Sequence, residues 1–291
     1  DWFLVSGDLD GYIRMWSVIE HVACYVSPDI VHNDGVIAVQ VAESTRKVYS
    51  QGKHGEVMQW NVSTTRGGRI GDSEWFDRVQ LERVGLLHDL PFVLGFCGID
   101  VRSEGVSGDW IAGVMEGDQV GVFQVNGVET VRISTLGGRF PGEDHGSGDR
   151  ANSSGTFSTW GMPMSIAFVP KRPDTESSDG PEALVVGYED GGVRIWSIGQ
   201  PPVIQYRYQP HREPVFAIDC VWRIEVGSKG TDTIAGVVLL VASGAGDDRI
   251  CVHVLNAEWK QLRTKTVVLK RKGCAEISFR PDGRIFATAG W

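Results

Sequence analysis

The sequence predicts an all-β fold assembled from copies of one antiparallel hairpin. Residues 4–18, LVSGDLDGYIRMWSV, and residues 184–198, LVVGYEDGGVRIWSI, share their length, a polar tetrad containing glycine, and a closing aromatic residue. Apolar residues alternate on either side of the tetrad, which indicates two strands joined by a tight turn. No stretch of the chain shows long helical periodicity, and the 37 glycines are typical of a fold rich in turns.

Four further segments repeat the hairpin or part of it, which predicts a repeat architecture. They are SQGKHGEVMQWNV (50–62), AGVMEGDQVGVFQV (112–125), SGAGDDRICVHVL (243–255) and EISFRPDGRIFATAGW (276–291). The copy at 112–125 is weaker, and the copy at 243–255 places His253 where a tryptophan is expected. The last segment matches the first two strands of a unit.

The hairpin resembles the second and third strands of a WD repeat, with Trp16-Ser17 and Trp196-Ser197 at the end of the third strand. At about 40 to 45 residues per four-stranded blade, this length corresponds to roughly six to seven blades. We expect residues 1–291 to form a single WD-repeat β-propeller domain, truncated at both ends, that contains about five and a half blades. Residues 137–160 are rich in glycine and serine and are expected to form a mobile insertion loop.

Composition and residue spacing argue against several classes of function. There is no apolar run of membrane-spanning length, and the formal net charge of −9 argues against a nucleic-acid surface. The basic segment LKRKG (269–273) is expected to be a solvated loop. The five cysteines are scattered and form no C-x-x-C pair, which favours reduced thiols in an intracellular protein. The histidines have no partners at metal-ligand spacing, so we expect neither a metal nor a cofactor.

Enzymatic motifs are weak or incomplete. Gly244-Ala245-Gly246 follows an apolar strand, but Arg249 stands at the third glycine position of a dinucleotide site and no helix follows. His211 and Asp247 are residue types of a Ser-His-Asp catalytic triad, yet the sequence has no G-x-S-x-G motif to carry the nucleophilic serine. We therefore expect a non-catalytic protein-interaction scaffold. The alternative is a propeller enzyme or small-ligand receptor whose groups converge on the central channel.

A narrower resemblance comes from GMPMS (161–165), GYEDG (187–191) and RPDGRIFATAGW (280–291). With VYSQGKHGEVMQWNV, QLERVGLLHDLPF and HREPVFAID, these segments are similar in order and wording to the ASTRA-associated protein 1 family, whose animal counterpart is a guanine-nucleotide-binding-protein beta-subunit-like protein. The resemblance implies seven blades in the intact protein and a subunit of the ASTRA complex. It further implies chromatin remodelling and cochaperone-assisted stability of phosphatidylinositol 3-kinase-related kinases. The implied partners are ASTRA-type subunits and these cochaperones, without direct nucleic-acid or membrane contact. The implied location is the nucleus, with the cytoplasm as a second location.

In WD propellers the hairpin turns and the loops before the first strands share one face, so residues at those positions should form a protein-binding rim. Tyr, Trp and Arg are frequent interface hot spots. The alternative is that Trp160 and Tyr188 only cover the insertion loop. The predicted rim residues are Leu9, Lys53, Trp160, Tyr188, Glu189 and Arg212.

A regular WD blade is tied by a His before the first strand, a Ser or Thr on the second, an Asp in the hairpin turn and a Trp on the third. We expect the three tryptophans at the third-strand position to be largely buried and to act in packing. His54 stands at the Asp position of its blade, and no complete blade has all four residues. Apolar packing should therefore outweigh these polar ties. The predicted structural residues are Trp16, Trp60, Trp196, His211, Ser243 and Asp247.

Overall fold

The computed structural model consists of β-strands joined by turns and loops. It describes residues 3–66, 77–88, 90–93, 97–103, 108–137, 161–175, 180–225 and 236–290. These ranges contain 21 strands and no helix, and thus no helix that could cross a membrane. The all-β prediction is confirmed.

The strands form six sheets in which each strand neighbours the one next to it in the chain. Sheet A contains β1 (Phe3–Gly7), β2 (Ile13–Ser17) and β3 (Val22–Val26). Sheet B contains β4 (Val36–Ala42), β5 (Lys47–Gly52), β6 (Val57–Arg66) and β7 (Asp77–Leu86). Sheet C contains β8 (Asp100–Ser103), β9 (Asp109–Met115), β10 (Gln119–Asn126) and β11 (Glu129–Leu136).

The second half of the chain continues the pattern. Sheet D contains β12 (Pro163–Phe168), β13 (Ala183–Tyr188), β14 (Val193–Ser197) and β15 (Ile204–Tyr208). Sheet E contains β16 (Ala217–Glu225), β17 (Gly236–Gly244), β18 (Arg249–Leu255) and β19 (Gln261–Val268). Sheet F contains β20 (Glu276–Phe279) and β21 (Phe286–Ala289). A four-stranded antiparallel meander is the blade of a propeller.

The chain forms two compact units. Unit 1 contains residues 1–113 and 123–132, and unit 2 contains residues 114–122 and 133–291. Sheets A and B lie in unit 1, and sheets D, E and F lie in unit 2.

The two hairpins that are most alike in sequence have the same strand register. Leu4 pairs with Trp16 in sheet A, and Leu184 pairs with Trp196 in sheet D. The strands therefore place their apolar residues equivalently, because alternate side chains point to opposite faces. In β2, residues 13, 15 and 17 are buried, whereas the residues between them are partly exposed.

A glycine in each of these two turns permits close approach of the following loop. Gly11 and Gly191 have φ values of +87° and +82°, which favour glycine. A Cβ atom on Gly11 would lie 1.9 Å from the carbonyl oxygen of His32, and one on Gly191 would lie 2.4 Å from that of His211. The glycines thus allow the loop that precedes the next sheet to pack on the turn.

Apolar side chains from adjacent sheets form the core of each unit. Fully burying one large apolar side chain stabilises the fold by about 1.5 to 3 kcal/mol. The buried core shared by sheets A and B in unit 1 consists of Ile13, Met15, Val48, Met58, Trp60 and Leu81. A core cluster of unit 2 lies between sheets D and E and includes Val185, Ile195, Val215, Leu239, Val241 and Leu255.

Candidate functional site

The hairpin turns and the loops before the first strands come together in unit 2. We call this surface the unit 2 turn face. Backbone hydrogen bonds connect its segments: Glu189 N–H donates to Met162 O (2.9 Å), and Gly246 N–H donates to Pro214 O (3.2 Å). The face comprises residues 161–162, 188–192, 209–214, 244–249 and 269–273.

The same pattern continues at the boundary between sheets E and F. Leu269 N–H donates to Asp248 O (2.7 Å), and Gly273 N–H donates to Asp247 O (2.9 Å). These two bonds hold the basic segment 269–273 against the β17–β18 turn, with the side chains at positions 270–272 exposed. The segment is therefore a solvent-facing loop, and its two ends are fixed by backbone bonds.

Two of the predicted rim residues lie on the unit 2 turn face. Glu189 and Arg212 are both exposed there. Their surroundings are mixed in character, because Met162 is also exposed (45%) and Glu213 adds a further carboxylate. The face thus presents charged and apolar side chains on a frame of backbone hydrogen bonds.

Two other predicted rim residues lie on hairpin turns of unit 1. Leu9 is 86% exposed in the β1–β2 turn, and Lys53 is exposed in the β5–β6 turn. An ion pair between His54 Nε2 and Asp34 Oδ2 (2.5 Å) joins the β5–β6 turn to the loop before β4. Trp160 lies outside the described residues.

The prediction that Tyr188 lies on the exposed rim is wrong. Tyr188 is 2% exposed, and its hydroxyl accepts a hydrogen bond from Trp196 Nε1 at 3.0 Å. The Arg194 guanidinium lies 4.5 Å from the centre of the Tyr188 ring. Burial raises the pKa of the Tyr188 hydroxyl. Tyr188 points inward because its hydroxyl accepts the hydrogen bond of the sheet D tryptophan. Ser6 and Ser50 accept the equivalent hydrogen bond in sheets A and B.

The polar tie of sheet B contains Glu56, which lies two residues beyond His54 at the regular Asp position. His32 Nδ1 lies 3.0 Å from Glu56 Oε1, and His32 Nε2 lies 2.9 Å from Ser50 Oγ. Trp60 Nε1 donates to the same hydroxyl at 3.1 Å. Because burial lowers the pKa of His32 and a carboxylate only accepts, Nδ1 carries the hydrogen and Nε2 accepts from Ser50. Sheet B lacks the Asp of a regular blade, as the sequence indicated, and Glu56 takes the place of that carboxylate in the tie.

Sheet E contains three of the predicted structural residues in mutual contact. His211 Nε2 lies 3.0 Å from Ser243 Oγ, and His211 Nδ1 lies 3.1 Å from both carboxylate oxygens of Asp247. The His211 side chain is fully buried. This arrangement holds the loop before β16 against the β17–β18 hairpin.

His253 fills the tryptophan position of the same sheet. Its ring centre lies 3.6 Å from that of Tyr208, and its Nδ1 lies 3.1 Å from Thr264 Oγ1. Burial lowers the pKa of His253 to about 4. The side chain is therefore a neutral packing element at pH 7.

The three predicted third-strand tryptophans differ in burial. Trp60 and Trp196 are fully buried, whereas Trp16 is only partly buried. Trp16 Nε1 donates to Ser6 Oγ at 2.9 Å, so its polar tie is present. Trp16 is thus less buried than the other two tryptophans, although most of its surface is covered.

A buried carboxylate in unit 1 was not expected from the sequence. Asp109 is fully buried at the start of β9 and accepts hydrogen bonds from Thr45 Oγ1 (2.8 Å) and Tyr49 Oη (2.5 Å). Lys47 Nζ lies 3.5 Å from it. These contacts join β5 and its preceding turn to β9, so Asp109 connects sheets B and C. Within the ranges that the structure describes, no three His, Cys, Asp or Glu side chains are grouped to hold a metal ion.

The meandering sheets, the repeated hairpins and the Ser–Trp and His–Ser–carboxylate ties define a WD-repeat β-propeller protein. The chain is 27% identical to the mouse (Mus musculus) guanine nucleotide-binding protein subunit beta-like protein 1, in an alignment that covers 99% of this chain and 72% of that protein. It is 22% identical to ASTRA-associated protein 1 of Verticillium alfalfae, covering 99% of this chain and 65% of the fungal protein. No family model matches the sequence. The predicted similarity to these proteins is confirmed along nearly the whole chain.

Proposed function

We propose that the chain is a non-catalytic protein-interaction scaffold and that the unit 2 turn face binds a protein partner. The observation that carries this proposal is the exposure of Met162, Glu189 and Arg212 on segments joined by backbone hydrogen bonds. Met and Arg are enriched in protein interfaces, and Arg is a frequent hot spot. A frame that is already ordered loses little conformational entropy on binding.

The name of the fungal relative, ASTRA-associated protein 1, supports a more specific proposal. In this proposal the protein is a subunit of an ASTRA-type complex. It takes part in chromatin remodelling and in cochaperone-assisted stability of phosphatidylinositol 3-kinase-related kinases. Its direct partners are proteins of these assemblies, and it acts in the nucleus, with the cytoplasm as a second location.

A charge-reversal experiment tests the turn face. The variant Glu189→Lys with Arg212→Glu keeps the net charge and alters only exposed side chains. The matched control, Glu258→Lys with Lys260→Glu, exchanges exposed charges in the β18–β19 turn, at the other end of sheet E. Co-purification of ASTRA-complex subunits with each tagged full-length protein is quantified by mass spectrometry.

We expect the Glu189/Arg212 variant to lose most of the co-purifying subunits and the control to keep them, with both variants unfolding at the wild-type temperature. Retention of all subunits by the Glu189/Arg212 variant would refute the turn face as the binding surface. Recovery of other complexes by the wild-type protein, without ASTRA subunits, would refute the named assembly but not the scaffold role.

A further inference from the structure

A cavity of about 570 Å³ opens in unit 2 at the end of sheet E that is remote from the turn face. The register of β16 and β17 defines this end, because Ala217 pairs with Gly244 beside the hairpin turn and Glu225 pairs with Gly236 at the opposite end. The volume lies in the range of small-ligand pockets. The side chains that matter for its chemistry are Trp222, Arg223, Glu225, Arg263, Asp282 and Arg284.

One buried carboxylate aligns two of the arginines. Glu225 is 8% exposed, and its Oε1 accepts hydrogen bonds from both Arg223 and Arg263. Each guanidinium has five N–H donors, so both retain donors after this contact. Arg223 also donates to Gly283 O at 3.3 Å, which fixes it against the β20–β21 turn. Glu225 therefore holds two guanidinium groups side by side.

The second carboxylate of the cavity is already paired. Asp282 accepts from Arg280 at 2.9 and 2.7 Å and from the backbone N–H of Arg284 at 3.0 Å. The exposed guanidinium of Arg284 is a further cation at the wall. Within the described part of the chain, three arginines and two carboxylates line this cavity, although the whole chain carries a net charge of −9.

The second carboxylate oxygen of Glu225, Oε2, is enclosed by protein atoms. Among the residues that the structure describes, Glu225 Oε2 is buried and has no hydrogen-bond partner. Buried polar atoms are nearly always paired. Because Oε2 has almost no accessible surface, the charged groups that a ligand in the cavity can contact are the guanidinium groups of Arg223, Arg263 and Arg284.

We propose that this cavity binds a phosphate monoester. Three guanidinium groups suit the several oxygens of a phosphate better than the two of a carboxylate, and Arg binds phosphate in bidentate geometry. Trp222 supplies an apolar wall for the body of the ligand. The site is independent of the proposed turn-face function, since it lies at the other end of the strands.

Isothermal titration calorimetry of the full chain tests the proposal with four probes. Glycerol 3-phosphate represents a free metabolite and N-acetyl-phosphoserine amide represents a modified protein side chain. Glycerol and N-acetyl-serine amide are the uncharged controls. We expect the phosphorylated probes to bind and the controls not to bind, and the tighter of the two phosphorylated probes identifies the source of the ligand.

Substitution of the arginines locates the site. Arg263→Gln and Arg284→Gln should each weaken phosphate-probe binding by about tenfold, because a charge-assisted hydrogen bond is lost. Arg271→Gln on the turn face is the matched control and should leave affinity unchanged. The hydrogen bonds to Glu225 Oε1 come from Arg223 and Arg263, so the Arg284 variant keeps both and remains informative if Arg263→Gln unfolds. Absence of binding to the wild-type chain, or equal weakening by Arg271→Gln, would overturn the proposal.

Discussion

Truncation of Glu56 to alanine tests the polar tie of sheet B. The substitution removes the carboxylate that lies 3.0 Å from His32 Nδ1, and the His32 side chain is fully buried. An unpaired buried donor costs about 1 to 3 kcal/mol. The Glu56 side chain is itself 31% exposed, so water can reach part of the vacated space and the lower half of that range applies. We expect a loss of about 1 to 2 kcal/mol in the free energy of unfolding.

The assay is thermal unfolding followed by circular dichroism, in which this loss corresponds to a melting temperature lower by roughly 2 to 8 °C. His54→Ala is the matched control, because His54 is the residue at the regular acidic position. Its side chain is 62% exposed and pairs with the exposed Asp34, and surface pairs contribute about 0 to 1 kcal/mol. If His54→Ala costs as much as Glu56→Ala, the assignment of Glu56 to the tie is refuted.

Three further expectations concern buried aromatic residues and histidine. Trp60→Ala should lower the free energy of unfolding by about 3 to 5 kcal/mol and Trp16→Ala by less, as partial exposure predicts; equal losses in urea titrations would contradict this. Tyr188→Phe should cost about 1 to 2 kcal/mol in thermal unfolding, because the Trp196 N–H loses this acceptor, and a wild-type melting temperature would argue against it. The pKa of His253 falls from 6.5 to about 4 on folding, so the unfolded chain binds more protons and stability declines as pH falls through that window. His253→Asn should flatten the decline, and an unchanged pH profile would exclude His253 as its source.

The fold was predictable because its main determinant is local. Each hairpin has its turn glycine, its alternating strands and its closing aromatic residue within about fifteen residues, and tight turns fix strand register. Leu4 and Trp16 accordingly pair as Leu184 and Trp196 do. A pattern confined to one hairpin can be recognised without knowing what lies beside it.

The sequence did not predict the contacts of side chains that extend to residues outside their own hairpin position. Glu56 lies two residues beyond the regular acidic position, yet its longer side chain reaches His32. Tyr188 ends β13 beside the hairpin turn, where exposure is usual, but its hydroxyl extends to Trp196. Asp109 contacts Tyr49 from sixty residues away, so no local pattern indicates it. The sequence pattern therefore predicts strands and turns better than it predicts which groups a long side chain contacts.

Different side chains form the polar tie around the third strand in different sheets. Sheets B and E receive a histidine from the preceding loop, whereas sheet D fills the corresponding space with Tyr188 and Arg194. Chains built from similar repeats risk docking a segment on the wrong neighbour during folding. On sheet D, Val186 stands at the strand position that is Ser6 in sheet A, and Asp190 is already paired with Arg194. The different tie of sheet D therefore disfavours docking of either histidine loop on that sheet.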